Sequence, residues 1–512
     1  MDPSHVKGTP ITVGMGAFES PSSVRHCTSA DRSADSLRAM RAHPAGPRHG
    51  DVVTAAGAPV VPAVGVNAID PALWPRTARR DASGALEIGG CDVRQLARDF
   101  ATPLFVLDEA DFRSRAASFR ASYAAGSAPA TVYYAAKAFL ATAVAQWVMQ
   151  EGLGLDVATG GELAVALAAG FPPERMVMHG NNKSEAEIER ALSAGVGLLV
   201  IDSLGEVERM AAVAERLGIV PRVLIRVTVG VEAHTHEFIA TAHEDQKFGL
   251  SLASGEARAA VDRIVASPSL HFAGLHSHIG SQIFDASGFE IAASRIADFA
   301  AELAADGIAV EVLDLGGGMG IAYVPHDDPP EVADMAAALD RIVVKSCERA
   351  GIPVPDLAYE PGRAIVGPAG MTIYEVGTVK PVELDHGEVR TYVSVDGGMS
   401  DNIRTALYDA DYTVVLASRE STAAPVLCRV VGKHCEAGDV VVRDAWLPGD
   451  LAPGDLLAVA STGAYCRSMA SQYNYLPRPA VVSVRDGVAT VVLRRETEAD
   501  LLALDPGAPT SS

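Results

Sequence analysis

Positively charged residues are scarce in this 512-residue chain. The 42 Lys and Arg residues stand against 64 Asp and Glu residues, and the formal net charge is −22. Nucleic-acid binders hold phosphates with clustered Lys and Arg, so this balance argues against a nucleic-acid partner. The chain also lacks any unbroken apolar run near the roughly 20 residues that cross a bilayer. We therefore expect a protein that binds neither nucleic acid nor membrane.

Cysteine is sparse as well, with six residues in the whole chain. They form no CxxC pair and no zinc-ligand spacing with a histidine, which argues against a disulfide scaffold and predicts no metal site. The opening residues, MDPSHVKGTP, lack the basic and apolar segments of a secretory signal. The cytoplasm, a reducing compartment, is the expected location.

Residues 1–66 have little hydrophobic periodicity and are rich in Ala, Gly, Pro and Ser. Too little apolar surface is present there to offset the entropy of ordering the chain, which predicts a disordered extension. A transit peptide is the alternative, although five acidic residues depart from the acid-poor composition of such peptides.

Regular alternation begins near residue 102, where short apolar runs are each followed by a longer Ala-, Leu- and Glu-rich stretch. Such repeats predict strands and helices, and eight of them favour a closed parallel (β/α)8 barrel, which we place at residues 108–368. An open doubly wound sheet is the alternative, but it requires no count of eight. A long insertion at 230–249 follows the fifth strand. The predicted strands are 132–136, 154–158, 176–180, 197–201, 223–227, 272–276, 312–315 and 357–360, and the predicted helices include 140–151, 161–169, 184–194, 204–217, 288–305 and 331–350.

Helical periodicity ends near residue 370. Beyond it lie β-rich runs separated by Gly, Asp and Pro, at 392–396, 413–416, 426–431, 456–460, 481–485 and 488–493. The dipeptide Asp486-Gly487 between the last two runs predicts a hairpin. We predict an antiparallel β-sandwich or barrel domain over 369–506 with a tail at 507–512. The segment 67–107 is expected to join it, and residues 67–101 could add a strand.

Polar residues recur where the predicted barrel strands end. Active sites of such barrels lie at the C-terminal face, so we expect these side chains to meet at one rim. They are Lys137, Asp156, His179, Asp202, Arg226, His276, His278, the triplet Gly316, Gly317 and Gly318, Glu360 and Arg363.

Lys137 is one of only seven lysines and follows the apolar strand TVYYAA. Desolvation would lower its pKa and leave a neutral amine able to form a Schiff base with an aldehyde. The alternative is a lysine that extends from the strand end to solvent.

The other rim residues suit a flat, phosphorylated cofactor. Three glycines in LDLGGGMG would let backbone N–H groups approach a phosphate, although most such runs are turns. In EPGR, Glu360 could pair with a protonated pyridine nitrogen and Arg363 with phosphate or carboxylate; the alternative is a surface ion pair. The ring of His278 could lie on the cofactor, whereas His276 could be a core histidine. Together these residues predict a pyridoxal phosphate site.

The motifs of the chain also resemble a known family from about residue 74 to residue 504. The resemblance is to bacterial diaminopimelate decarboxylases, above all actinobacterial ones, which are fold-type III pyridoxal-phosphate enzymes with a barrel and a C-terminal β domain. It implies conversion of meso-2,6-diaminopimelate to L-lysine and carbon dioxide, the last step of lysine biosynthesis. The motifs are YAAKAF, GLDVATGGEL, HGNNKS, GVEAHTHEF, DQKFGLS, GLHSHIGSQ, LDLGGGMGIAY, EPGRAIVGPAG, DGGMSDNIRTALY, GKHCEAGD and TGAYCRSM.

The resemblance implies a role for each matching residue. Lys137 would hold the cofactor covalently, His278 would stack on its ring, and Glu360 would pair with its nitrogen. The other cofactor-binding positions would be Gly280, Ser281, Gly316, Gly317, Gly318, Pro361, Gly362, Arg363 and Tyr465. The substrate-binding positions would be Arg363, Arg404, Tyr408, Glu436 and Tyr465.

Cys435 matches the family's proton donor, which acts in the site of the neighbouring subunit, and Glu436 would then face the distal ammonium of the substrate. The resemblance thus implies a homodimer whose active sites are shared across the interface. A free cysteine is more often a small buried hydrophobe, and that is the alternative.

Two other functions fit the same fold. A decarboxylase for ornithine, arginine or carboxynorspermidine is one, although the arginine of NIRTALY argues against ornithine. A non-catalytic binding protein of the antizyme-inhibitor type is the other, and the presence of Lys137, Glu360 and Cys435 argues against it.

Overall fold

The computed structural model describes residues 65–230, 247–384 and 389–508. The predicted disordered extension lies outside the described residues except for its last two positions, and so does most of the insertion at 230–249. Among the residues described, no helix combines the length and the apolar character needed to cross a membrane.

The chain first forms a small antiparallel sheet and one strand of a larger sheet. The bounds are β1 (Arg79–Arg80), β2 (Leu86–Ile88), β3 (Cys91–Asp92), α1 (Val93–Phe100) and β4 (Leu104–Asp108). Asp92 caps α1 by accepting a hydrogen bond from the backbone N–H of Arg94. Strands β1 to β3 form a sheet of their own among the described residues, so they add no strand to the sheet of the β domain. The segment nevertheless contacts that domain, since the Leu86 N–H donates to the Ala417 carbonyl at 2.8 Å. Strand β4 does join the sheet of the β domain.

A barrel of eight parallel strands follows. Its elements are α2 (Glu109–Ala124), β5 (Ala130–Ala135), α3 (Thr142–Gln150), β6 (Gly154–Val157), α4 (Gly160–Ala168), β7 (Met176–Met178), α5 (Glu185–Ala194), β8 (Leu198–Ile201), α6 (Leu204–Leu217), β9 (Arg222–Thr228), β10 (Leu250–Ser251), α7 (Glu256–Ala266), β11 (His271–His276), α8 (Ser287–Ala305), β12 (Val312–Asp314), α9 (Val332–Ala350), β13 (Asp356–Tyr359) and α10 (Arg363–Val366). Strand β13 pairs with β5, which closes the barrel, while the two-residue β10 adds to β9 outside the ring. All eight predicted strands occur within two residues of their expected ends, and the open-sheet alternative is wrong.

Alternation along the barrel strands separates two apolar layers. One side chain in two points inward, and small or branched residues such as Val177, Val200 and Ala273 fill the inside of the barrel. The intervening residues, such as Leu199 and Ile225, pack against the surrounding helices. Because both faces are buried, these strands appear in the sequence as continuous apolar runs.

The last part of the chain forms the β domain. Its elements are β14 (Gly370–Glu383), β15 (Val389–Val395), α11 (Arg404–Tyr408), β16 (Val414–Leu416), β17 (Pro425–Val431), β18 (Val440–Pro448), β19 (Leu456–Val459), β20 (Ala480–Arg485), β21 (Val488–Leu493) and α12 (Glu498–Leu502). The predicted hairpin at Asp486-Gly487 is confirmed: Arg485 pairs with Val488, and both turn residues have positive φ, as a tight primed turn requires.

The prediction of an antiparallel β domain is wrong in part. Most of its strands pair antiparallel, but β15 pairs parallel with β17, and β4 pairs parallel with β20. A parallel pair needs a long crossover between its strands. For β4 and β20 that crossover contains the entire barrel.

The β domain contacts the barrel directly beside the predicted lysine. The backbone N–H of Tyr465 donates to the carbonyl of Ala138 at 2.9 Å, and Ser468 Oγ donates to the same carbonyl at 3.0 Å. Where the chain enters and leaves the barrel, the Asp108 N–H donates to the Ala369 carbonyl at 2.8 Å. These bonds bring a β-domain loop to the C-terminal rim of the barrel.

Candidate active site

A cavity of about 460 Å³ lies at the C-terminal ends of the barrel strands, where the β domain covers them. Most of the predicted site residues line it. They are Lys137, His278, Ser281, Gly318, Glu360, Gly362, Arg363, Arg404, Tyr408 and Tyr465. Gly280, Gly316, Gly317 and Pro361 are chain neighbours of these residues, whereas Cys435 and Glu436 lie elsewhere.

Lys137 lies just beyond the end of β5. The backbone there is tied to its neighbours, because Ala135 N–H donates to the Pro361 carbonyl and Ala136 N–H to the Asp156 carbonyl. The Lys137 side chain projects into the cavity. It is therefore enclosed by the protein but still reached by solvent within the cavity.

The predicted lowering of the Lys137 pKa is wrong. Burial by itself lowers the pKa, but electrostatic interactions, first with Tyr465 and then with Asp156 and Glu360, outweigh it, and the net effect raises the pKa above its usual value. The free lysine is therefore an ammonium ion. It must lose a proton before its nitrogen can act as a nucleophile.

Glu360 follows β13 and is buried between two histidines. Its Oε1 lies 2.5 Å from Nε2 of His179, and its Oε2 lies 3.4 Å from Nε2 of His276. Burial acts to raise the pKa of Glu360, but the charges and hydrogen bonds of His179 and His276 hold it well below its usual value. A carboxylate thus faces the cavity, and the alternative of a surface ion pair between Glu360 and Arg363 is wrong because both side chains are buried.

Three more titratable groups lie behind Glu360. Burial lowers the pKa of His276 to about 4 and raises that of Asp156 to about 6. Burial, followed by the charge of Glu360, raises the pKa of Asp314. His276 is therefore part of this charged cluster. The alternative that it is simply a core histidine, which its position in an apolar strand allowed, is wrong.

Donor atoms of His179, His276, Asp314 and Glu360 lie within 4.8 Å of one another. A metal ion holds such ligands at about 2.0–2.2 Å, which keeps two of them about 3 Å or more apart. Nε2 of His179 and Oε1 of Glu360 are closer, at 2.5 Å. The arrangement fits a hydrogen-bonded pair better than a metal centre.

The glycine triplet after β12 leaves no room for side chains. A Cβ on Gly317 would lie 2.1 Å from the Glu360 carbonyl oxygen, and one on Gly318 would lie 2.3 Å from the Gly280 carbonyl oxygen. Two of the three N–H groups are already used, since Gly316 donates to Asp314 Oδ1 and Gly317 to His278 Nδ1. Of the triplet, only Gly318 lines the cavity, and the assignment of Gly316 and Gly317 to cofactor binding stays a prediction.

His278 presents a neutral ring to the cavity. Its Nδ1 accepts the Gly317 N–H at 3.2 Å, so that nitrogen carries no proton. Burial, together with the charges of Lys137 and Arg226, holds its pKa well below the usual value. An uncharged imidazole of this kind can lie on an aromatic ring.

Pyridoxal phosphate fits these residues. The cavity combines a lysine that projects into it, a buried carboxylate held ionised, a neutral flat ring and a backbone cradle in which no Cβ fits. These features match the aldehyde, the pyridinium nitrogen, the ring face and the phosphate of that cofactor.

Two buried arginines provide positive charge beside this cradle. Arg363 donates from Nη1 to Tyr323 Oη at 2.5 Å and from Nη2 to Ser281 Oγ at 2.9 Å, and its guanidinium lies 4.6 Å from the Tyr465 ring centre. Arg404 donates from Nη1 to Tyr412 Oη at 2.5 Å.

Neither arginine has an anionic partner in the described part of the chain. A buried guanidinium without a counter-ion is costly, so both are suited to an anion that enters the cavity.

Two tyrosines that sequence reasoning missed organise these cations. Tyr323 accepts the hydrogen bond from Arg363. Its ring lies under the guanidinium of Arg404, with 4.7 Å between the guanidinium carbon and the centre of the tyrosine ring. Tyr412 accepts from Arg404 and contacts Cys466 Sγ at 3.6 Å. Tyr323 closes the motif LDLGGGMGIAY, which was a usable signal; nothing in the sequence around Tyr412 marked it.

Cys435 is exposed and lies outside the cavity of its own chain, so the alternative of a buried hydrophobe is wrong. Its backbone N–H donates to Asn474 Oδ1 at 3.1 Å. The preceding His434 is fixed by its N–H to Asp439 Oδ2 and by Nε2 to Ser400 Oγ, both at 2.8 Å. Cys466, in contrast, is a buried thiol whose pKa burial raises to about 11.

Comparison with known proteins gives concordant matches. Residues 109–367 match the family described as pyridoxal-dependent decarboxylase, pyridoxal binding domain. Diaminopimelate decarboxylase of Mycobacterium tuberculosis is 58% identical over 440 residues, which cover 85% of this chain and 98% of the relative. The enzyme of that name from Mycobacterium leprae is 55% identical over 473 residues, covering 91% of this chain and 100% of the relative. The crystal structure of diaminopimelate decarboxylase from M. jannaschii with L-lysine superposes with a TM-score of 0.78 at 32% identity, covering 85% of this chain and 99% of that one.

Proposed function

The chain belongs to the diaminopimelate decarboxylase family, and from that membership we propose how the residues of its cavity carry out the reaction. It is a carboxy-lyase that converts meso-2,6-diaminopimelate to L-lysine and carbon dioxide, the last step of lysine biosynthesis, with pyridoxal phosphate as cofactor. The observation that supports the residue roles best is the pair of buried arginines that face the cavity beside Lys137 and Glu360.

The barrel rim holds the cofactor. When bound, pyridoxal phosphate supplies a ring that accepts the electrons left on the α-carbon after carbon dioxide departs. Lys137 would attach to its aldehyde carbon, His278 would cover one ring face, and Glu360 would hold a proton on its nitrogen. The phosphate would lie against Gly280, Ser281 and Gly318.

The two arginines bind the substrate's carboxylates. Arg363 lies at the rim, near the reacting end, and Arg404 lies with Tyr408 on the wall that the β domain contributes. Diaminopimelate has a carboxylate at both ends, whereas ornithine and lysine have only an ammonium at the far end. A substrate without the distal carboxylate leaves the buried Arg404 uncompensated, which selects against it.

Reprotonation of the α-carbon requires an acid. Cys435 would move its Sγ proton to that carbon after carbon dioxide has left. Because Cys435 and Glu436 lie outside the cavity of their own chain, they would act in the cavity of a second subunit, with Glu436 facing the distal ammonium. This role makes the active form a homodimer with two shared sites. We place it in the cytoplasm, where the five described cysteines, all unpaired, would stay reduced.

Product analysis tests the function. Purified full-length protein with pyridoxal phosphate and meso-diaminopimelate should release L-lysine and carbon dioxide in equal amounts, and it should release no diamine from ornithine or lysine. Turnover of ornithine instead would identify the other decarboxylase activity. The holoprotein should be yellow, and borohydride should fix the cofactor to Lys137 and bleach the colour. A colourless protein that ignores added cofactor would support the binding-protein alternative and contradict the proposal.

A further inference from the structure

His179 is a titratable residue of the rim to which neither the sequence motifs nor the reaction assigned a role. It follows β7 in the motif HGNNKS and is buried. Its backbone N–H donates to the Val157 carbonyl at 2.8 Å. The turn that follows is fixed by Lys183, whose Nζ donates to the carbonyls of Gly180 and Val200 at 2.7 and 2.6 Å. These hydrogen bonds hold the backbone that carries the His179 imidazole in place.

The imidazole nitrogen of His179 faces two carboxylates. Nε2 lies 2.5 Å from Glu360 Oε1 and 3.7 Å from Asp156 Oδ1. Both of these buried atoms, Nε2 of His179 and Oε1 of Glu360, lack a further hydrogen-bond partner that meets normal geometry among the residues described, so the 2.5 Å ion pair is the close polar contact that each makes.

His276 approaches the other oxygen of Glu360 less closely. Its Nε2 lies 3.4 Å from Oε2, and its ring is edge-on to that of His179 with centres 4.7 Å apart. Of the two histidines, His179 makes the shorter contact. It is also the one placed between Glu360 and a second acid.

Burial acts to raise the pKa of Glu360, and His179 comes first among the groups whose charges and hydrogen bonds lower it, ahead of His276. Burial, and with it the charge of Glu360, raises the pKa of both Asp156 and Asp314. The other charged groups that face Glu360 are Arg226 and Lys137, and the neutral imidazole of His278 lies there as well.

We propose that His179 is a positioning residue that holds the Glu360 carboxylate ionised and in place, so that this carboxylate keeps a proton on the pyridine nitrogen of bound pyridoxal phosphate. The proposal rests on the proposed cofactor contacts of the cavity. His179 acts through Glu360 and does not itself touch the reacting atoms.

The test compares three variants loaded with ¹⁵N-labelled pyridoxal phosphate. His179→Phe keeps a flat ring and removes the donor, whereas His179→Gln places an amide N–H near the position of Nε2. His276→Phe, which removes the longer contact, is the matched control. The readouts are the ¹⁵N chemical shift of the ring nitrogen between pH 6 and 9 and the dissociation constant of the cofactor.

We expect a protonated ring nitrogen at pH 7 in the wild type, in His179→Gln and in His276→Phe. His179→Phe should show a deprotonated one and bind the cofactor at least about tenfold more weakly, as the loss of a hydrogen bond to a charged group predicts. Circular dichroism and the melting temperature check folding. If His179→Phe does not fold, His179→Met provides the variant without a donor.

Two results would overturn the proposal: an unchanged ring-nitrogen signal in the folded variant without a donor, or the same loss in His179→Gln as in that variant. Failure of the proposed function looks different, because the wild type itself would then bind no cofactor.

Discussion

The barrel rim and the β domain contribute to the site in different ways. The rim residues Lys137, His278 and Glu360 come from three strand ends and meet in one cavity of one chain. The β domain divides its contribution: Arg404, Tyr408 and Tyr465 line that cavity, whereas the Cys435 loop is exposed outside it.

The difference follows from how the backbone is held. A barrel strand is hydrogen-bonded on both sides, so its end has one position relative to the next strand, and consecutive ends converge. The Cys435 loop is instead held by side chains, through Asp439, Ser400 and Asn474. These hydrogen bonds hold the exposed loop in place on the surface. A residue that acts in the site of another subunit would require such a loop.

The largest expected effect tests this division directly. Lys137→Ala and Cys435→Ala should each abolish turnover, since one removes the proposed attachment point of the cofactor and the other removes the proposed proton donor. Mixed and allowed to exchange subunits, they should form hybrid dimers in which one site has both residues. Random exchange of equal amounts then restores about a quarter of the wild-type sites, measured as lysine formed per subunit.

Subunit exchange must be shown independently, for example by recovering a tagged and an untagged subunit together. Each variant exchanged with itself is the control. Proven hybrids without any activity would mean that each chain completes its own site, and the comparison between rim and loop would fail.

A smaller effect is expected inside the cavity, where the β domain supplies Arg404. Arg404→Ala should raise KM for diaminopimelate about 10- to 150-fold, as expected for the loss of a hydrogen bond to a charged group, while cofactor absorbance stays near that of the wild type. Tyr412→Phe, which removes only the hydroxyl that accepts from Arg404, should raise KM about 2- to 10-fold. A wild-type KM in Arg404→Ala would assign the distal carboxylate to another residue.

The smallest effect concerns the charged cluster of the rim. The folded-state pKa of His276 is about 4, and the usual value for histidine is about 6.5. Between these values the unfolded chain binds a proton that the folded chain does not, so this site reduces stability as the pH falls below about 6.5.

Removing the imidazole should therefore reduce acid sensitivity. Between pH 7 and pH 5.5 the His276→Phe variant should lose about 1 kcal/mol less stability than the wild type, which thermal unfolding of cofactor-free protein measures. Parallel slopes for wild type and His276→Phe would show that His276 does not titrate as described.

Much of the barrel was predictable because its strands are buried on both faces. Helix α6 occurs with its predicted bounds, 204–217, and each strand lies within two residues of its expected ends. In the β domain, β14 was missed because Gly377 and Pro381 interrupt its apolar pattern, and both weaken a strand assignment. The parallel partners β4 and β20 are separated by the whole barrel, a distance that no local pattern spans.

For the site, the residue types were predictable, whereas their charge states were not. The pKa of Lys137 moves in the direction opposite to the expected one because its sign is decided by Tyr465, Asp156 and Glu360. These come from a β-domain loop and two other barrel strand ends. Tyr323 joins Arg363 to Arg404 in space, although the three lie far apart in the chain.

The amino-acid sequence by itself determined the barrel, the identity of the reactive side chains and the end of the strands at which they lie. These depend on local periodicity and on residues within one motif. Only the tertiary structure decided which of those side chains share a cavity, which protons they carry and which one faces away from its own chain. Charge and exposure depend on neighbours brought together from distant parts of the chain, since desolvation and Coulomb interactions act through space.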